Sequence, residues 1–309
     1  MQKNNKTSNN EGTTHNDPVI IRAIIVLALI FVIGLFLLVL IQGKNQPVAT
    51  AGTGNCTIPY EGITRLRIGS WDGGSICIKT HDADTISISE EANRELADNE
   101  LVYYCVAGST LEIKPSLTSV YNKLFGSPLP KNLIIVIPEK ADINIRIAVK
   151  NTEVSVSNLC LGELRIETRD AEITASNLNM ESISLSSAAG GVFADNIFAN
   201  SIACRTSDCN AKIIGCASNN LECETSGGNI DFTSLTSPDS VKISSKSGNV
   251  ILKIPVNSGI CIQEKIRDNG RINCPSDFKE EKDCLIYGDG SRNYFFNAIS
   301  GNIDFYIEQ

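Results

Sequence analysis

Five consecutive stretches of the chain repeat one apolar pattern at a fixed period of 19 residues. Its first position falls at Ile147, Ile166, Leu185, Cys204 and Cys223; the next, Ile243, arrives one residue late. Seven positions on lie Val154, Ile173, Val192, Ala211, Ile230 and Val250, and two further on lie Val156, Ala175, Ala194, Ile213, Phe232 and Leu252. Leu159, Leu178, Ile197, Cys216 and Leu235 form another column, and Leu164, Ile183, Ile202, Leu221 and Val241 close the pattern. A fixed period implies one supersecondary unit per repeat, stacked so that neighbours bury each other. Within a repeat the apolar residues are spaced by two, as in Val154 and Val156 or Leu164 and Ile166. That is the period of a half-buried strand. The expected fold is all-β: a single-stranded β-solenoid of about 19-residue coils behind one N-terminal transmembrane helix. With strands about 4.8 Å apart, six coils make a rod about 25–30 Å long.

The turns carry their own columns. Asn158, Asn177 and Asn196 share one, and Asn210, Asn229 and Asn249 another; Gly190-Gly191, Gly227-Gly228 and Gly248 precede the second strand. Asn and Gly tolerate the left-handed backbone of tight turns, and stacked amides bond from coil to coil. These ladders are expected to be turn stacks rather than a ligand-contacting stripe.

The longest apolar run, Ala23 to Ile41, has no charge over 19 residues, enough for a helix of about 28 Å that crosses the hydrocarbon of a bilayer. It is longer than the apolar core of a secretory signal, and the cleavage-like Ala49-Thr50-Ala51 lies far downstream. No lipobox precedes Cys56. Lys3, Lys6 and Arg22 lie on its N-terminal side and only Lys44 lies close on the other, so the N-terminus is expected in the cytoplasm. The expected organisation is a disordered cytoplasmic tail (1–18), a transmembrane helix (19–42), a linker (43–55) and an extracytoplasmic β-solenoid domain (56–309). Within that domain, 56–146 reads as divergent coils or a cap, 147–255 as regular coils and 256–309 as terminal coils and a cap. Phe296, Ile303 and Phe305 restore the repeat spacing at the C-terminus and suit a capping coil. Setting aside Lys3, Lys6 and Arg22 among 27 basic residues, and Glu11 and Asp17 among 35 acidic ones, leaves the exterior near −9. That charge argues against nucleic acid as a partner.

Several strings in this exterior resemble the bacterial putative-adhesin family of β-strand-repeat domains. Ile63 through Trp71-Asp72-Gly73-Gly74-Ser75-Ile76-Cys77-Ile78 is similar to the opening of that domain. So are Gly108-Ser109-Thr110-Leu111-Glu112-Ile113 and Asn132-Leu133-Ile134-Ile135-Val136-Ile137-Pro138. Thr225-Ser226-Gly227-Gly228-Asn229-Ile230 and Ser300-Gly301-Asn302-Ile303 match its recurrent turn, with Asn where the family often has Asp. The resemblance spans roughly residues 56–309 and implies a membrane-anchored envelope protein without established enzymatic residues.

All 11 cysteines follow the apolar run, where disulfides are permitted. Cys204 and Cys223 share a core column in adjacent coils and Cys216 fills another, which suits small buried apolar residues. Cys204, Cys209, Cys216 and Cys223 contain no Cys-x-x-Cys knuckle, so a metal site is not expected. Cys261, Cys274 and Cys284, in the charged terminal segment, are better disulfide candidates. Of two histidines, His15 lies on the tail and His81 stands beside Asp82 and Asp84 with no nucleophile near it. Glu153 and Glu172 share a column that continues as Gly191, Asn210 and Asn229, which is no carboxylate cluster of the kind glycan cleavage needs. No catalytic, cofactor-binding or metal residue is therefore assigned, and the chain is not expected to be an enzyme. The expected partners are the lipid bilayer, through residues 19–42, and a cell-wall polymer or envelope protein. The first functional expectation is a single-pass cell-envelope protein of the cell membrane, presenting the solenoid for binding or surface structure. The alternative is an envelope-stress sensing or regulatory component that acts through a membrane partner, since an 18-residue tail is too short for an output domain of its own.

Overall fold

The computed structural model of the chain describes residues 50–71, 74–116, 130–160, 162–255, 259–281 and 284–308. The tail 1–18, the transmembrane helix 19–42 and most of the 43–55 linker lie outside the described residues. Among the described residues no helix is long and apolar enough to cross a membrane. At the end of the expected linker, Thr50–Thr53 form a strand antiparallel to Tyr103–Ala107.

The regular coils show how the sequence makes the stack. Ile173–Ser187 is one strand whose interior residues Ile173, Ala175, Leu178, Met180, Ile183 and Leu185 alternate with Ser, Asn and Glu on the outside. Val192–Thr206 and Ala211–Thr225 repeat it. Each long strand turns a corner at one left-handed residue: Asn177 (φ 52°), Asn196 (φ 54°) and Gly215 (φ 64°), with Asn158 (φ 60°) in the coil before. Asn reaches this conformation more readily than other residues with a side chain, and the stack satisfies the amides. Asn177 Nδ2 donates to Asn158 Oδ1 at 3.3 Å, and Asn196 Nδ2 to Asn177 Oδ1 at 2.8 Å. In the second ladder the backbone N–H of Asn229 donates to Asn210 Oδ1, that of Asn249 to Asn229 Oδ1 and that of Asn302 to Asn249 Oδ1.

The apolar columns are hydrogen-bonded neighbours in parallel register. Val154 faces Ile173, then Val192, Ala211, Ile230 and Val250. Leu164 faces Ile183, then Ile202, Leu221 and Val241. All of these are at most 3% exposed. One column breaks. Cys216 pairs with Ser234 across a register shift, so Leu235, expected inside, is 54% exposed. Ser234 takes the interior place, its hydroxyl donating to the Cys216 carbonyl at 3.1 Å or the Thr236 carbonyl at 2.8 Å.

A buried Ser/Thr column pins another corner. The hydroxyls of Thr168, Ser187 and Thr225 donate to the carbonyls of Ala171, Gly190 and Gly228, three residues on, at 2.6–2.8 Å. Ser245 does the same to Gly248. The chain is tight here: a side chain at Gly228 would run into the Cys209 carbonyl of the preceding coil.

Two walls run the length of the stack. The first orders Thr50–Thr53, Tyr103–Ala107, Thr110–Lys114, Arg65–Gly69, Asn144–Ala148 and Glu163–Thr168 against the far halves of the three long strands. It continues through Ser240–Ser245, Arg292–Ala298, Ile260–Ile266, Cys284–Tyr287 and Lys279–Glu281. The second orders Cys56–Pro59, Thr85–Ala92, Lys131–Pro138, Ser75–His81 and Glu153–Ser157 against their near halves. It ends in Ile230–Ser234, Val250–Pro255, Asn302–Glu308 and Arg271–Asn273.

Spatial order departs from chain order at both ends. The coil of residues 65–81 lies between 110–138 and 144–157. The C-terminal coil, 292–308, lies between 240–255 and 260–273. The expectation that Phe296, Ile303 and Phe305 form an outer cap is therefore corrected: all three are core, at most 2% exposed. With neighbours on both sides their aromatic area is removed from water, which a terminal coil could not achieve. The outer edge is instead the short, fully exposed Lys279–Glu281, whose charges oppose edge-to-edge pairing.

Candidate functional site

None of the residues weighed for chemistry forms a reactive constellation. His81 ends a strand with Nε2 2.6 Å from the Thr85 carbonyl oxygen. Glu172 accepts from the Thr174 hydroxyl at 3.3 Å. Cys204 and Cys223 face each other in register, and with Cys216 they are at most 1% exposed. Burial pushes the thiols of Cys204 and Cys216 up to about 12 and that of Cys223 well above its ordinary value. They stay protonated, and it is the thiolate that binds metal or attacks. Among the described residues no group of three or more His, Cys, Asp or Glu could hold a metal ion. All 11 cysteines are free thiols. Of the three disulfide candidates, Cys261 and Cys284 sit diagonally on adjacent antiparallel strands, while Cys274 donates to Glu264 Oε1 at 3.9 Å. Replacing Cys204 by Val and Cys223 by Ile should change stability by no more than about 1–2 kcal/mol, since volume is nearly kept and no polar group is orphaned. A denaturant melt measures this; stoichiometric zinc lost from the double variant would contradict a core-filling role.

What the fold does build is a groove of about 640 Å³ where residues 179–181, 198–200, 217–219 and 236–239 stack. Its floor is one column, Met180, Ala199, Ser218 and Ser237. After Met180 the residues Ala199, Ser218 and Ser237 are all small, which leaves room along this face. Beside the floor runs Asn179, Phe198, Ala217 and Thr236; Phe198 is 40% exposed and stands beside the much smaller Ala217. On the other rim Glu181, Asn200, Asn219 and Asp239 follow one another, with Asp142 before them. Asn219 Nδ2 donates to Asn200 Oδ1 at 3.5 Å. Arg292, brought in by the inserted C-terminal coil, closes one end through Nε to Asp239 Oδ1 at 3.3 Å.

Two polar groups in this lining are unsatisfied among the described residues: the hydroxyl of Ser218, a residue 6% exposed, and Nη1 of Arg292. A buried polar group without a partner costs free energy unless something fills the role. Thr152, Thr206 and Asn297 elsewhere in the stack also carry buried unsatisfied atoms, so what sets this face apart is its concavity and its exposed aromatic ring. Sequence reasoning missed it because its members are ordinary small and polar residues in columns that look like turns. The one available signal was an aromatic, Phe198, in a column of Asn, Ala and Thr.

A family model described as Toastrack DUF4097 matches residues 63–304. The chain belongs to this family. The matched span contains the strand and turn strings on which the resemblance to a β-strand-repeat family rests. The match runs from Ile63 to Asp304 and so includes both out-of-order ends. Among solved structures, a putative adhesin from Bacteroides fragilis aligns with TM-score 0.48 at 12% identity, covering 83% of this chain and 97% of that one. A putative cell adhesion protein from Clostridium sporogenes aligns with TM-score 0.26 at 14% identity, covering 84% and 100%. No curated protein matches the chain.

Proposed function

We propose that this Toastrack DUF4097 chain is a single-pass cell-envelope protein whose extracytoplasmic, single-stranded solenoid of about 19-residue coils holds an envelope component in the groove between Asp142 and Asp239. The observation that carries the reading is the groove itself: a long polar concavity lined by side chains from successive coils, with an exposed aromatic ring beside its floor. A rigid rod of this kind positions such a surface without loop rearrangement, which suits binding rather than turnover. The role is non-catalytic and needs no cofactor; His81, the one described histidine, is spent on the Thr85 carbonyl. Anchoring rests on the charge-free run Ala23 to Ile41 with Lys3, Lys6 and Arg22 before it.

Protease added to intact cells tests the arrangement. It should remove a C-terminal tag and spare an N-terminal one. A C-terminal tag that survives until cells are lysed would contradict it, as would an N-terminal tag detached from a domain released into the medium.

A further inference from the structure

Resting on the reading of the exterior as a binding surface, we propose that the groove between Asp142 and Asp239 is a site for an amine-bearing glycan, a chain of hexosamine units lying along the stack axis. Its direction excludes an extended peptide held by main-chain pairing. The groove crosses the strands, and in the adjoining walls the backbone N–H and carbonyl groups are already paired from coil to coil, so among the described residues the groove presents no open edge for strand addition. What the groove offers instead is side chains repeated at about 4.8 Å, close to the length of one sugar ring in an extended chain.

Each lining group has a counterpart on such a chain. Phe198 presents a ring face for the apolar side of a sugar or for an ammonium group. Asn200 and Asn219, both exposed along the rim, are partners for ring hydroxyls. The carboxylates decide the charge. Asp142 and Glu181 form no ion pair among the described residues, and Asp239 is bonded to Arg292. Glu181 lies two coils from Asp142 and three from Asp239, so negative charge recurs along the groove rather than gathering at one point. Unpaired carboxylates on a domain near −9 repel uronic acid or phosphate polymers and attract ammonium groups.

Calorimetric titration of the full chain in a detergent without a sugar headgroup tests this, at mildly acidic pH, with three probes: β-1,4-glucosamine, N-acetylglucosamine and galacturonate oligomers. The glucosamine oligomer should bind, and about tenfold or more tightly than the N-acetylated one. Its affinity should fall about tenfold or more in Phe198→Ala and in Glu181→Gln. It should be unchanged in Phe193→Ala, an equally exposed ring outside the groove. Binding of galacturonate as tight as glucosamine would overturn the proposal, as would groove variants that bind like the parent. Equal binding of the N-acetylated oligomer would remove the amine from it. If no oligomer binds but the protein still sediments with its own envelope, the ligand class is wrong and the surface-binding reading stands; if neither occurs, that reading fails too.

Discussion

Deleting residues 292–309 will strip amide protection from residues 260–273, which precede the deletion in the chain, and leave residues 144–206 protected. The C-terminal coil is the one on which 260–273 rests: Ile260–Ile266 pairs with Arg292–Ala298, and Arg271–Asn273 with Asn302–Glu308. The deletion removes Tyr294, Phe296 and Phe305, whose rings pack at centroid distances of 5.9–6.3 Å. Losing one such core aromatic costs about 3–5 kcal/mol, against a typical total of about 5–15 kcal/mol for a domain. It also bares Val241, Ile243, Val250 and Leu252 on the coil below. A stack transmits stability between nearest neighbours, so the damage is confined to the C-terminal end and the remnant aggregates through its open edge. Hydrogen exchange read by mass spectrometry measures this. Full protection at 260–273 in the shortened chain would mean that the coil order is sequential after all.

Lys131→Met will destabilise the other end by about 3–5 kcal/mol, a loss expected when one member of a buried ion pair is removed. Lys131 and Glu90 pair with side chains 6% and 0% exposed. Lys131 Nζ also donates to the Glu100 carbonyl at 2.6 Å and lies 5.0 Å from the Trp71 ring centroid. Glu90 accepts the backbone N–H of Val102 and, through its own N–H, donates to Asn55 Oδ1 at 2.9 Å. Nearby, hydrogen bonds from Arg94 and from the Ala97 backbone hold the Glu100 carboxyl down at about 2. Without Lys131 the buried Glu90 side chain loses its counter-ion. Adding Glu90→Leu should recover much of the loss, because no unpaired polar side chain then remains buried. Denaturant melts of the single and double variants distinguish this from simple loss of packing, in which the double variant would be the less stable of the two.

These features divide between what the sequence announces and what it hides. The wall register was legible because a buried strand face has a period of two and each coil repeats after about 19 residues: Ile173, Val192 and Ala211 had to be neighbours once they shared a column. The Asn corners were legible because few residues enter the left-handed region cheaply. Coil order at the ends was hidden, since every coil presents the same apolar code and that code does not name which copy it prefers. Tyr294 is as suitable a neighbour for Val241 as Ile260 would have been. Glu90 and Lys131 were hidden because two charges 41 residues apart look like two solvated loops until the fold brings them together. Leu235 misled because a one-residue slip exchanges the faces of a strand. The groove follows from the drop in side-chain volume after Met180, where Ala199, Ser218 and Ser237 are all small, a feature that apolar periodicity does not register.

The property that matters most is whether the Phe198 face holds envelope material. Co-sedimentation of the intact, detergent-solubilised protein with washed envelopes of its own cells tests this most directly, comparing the parent chain with one carrying Phe198→Ala and Glu181→Gln. Both side chains are exposed, so the variant should melt like the parent. The expected result is that the parent pellets with the envelope and the variant stays largely in the supernatant. Equal pelleting of two equally folded proteins would contradict the assignment of this groove as the binding surface.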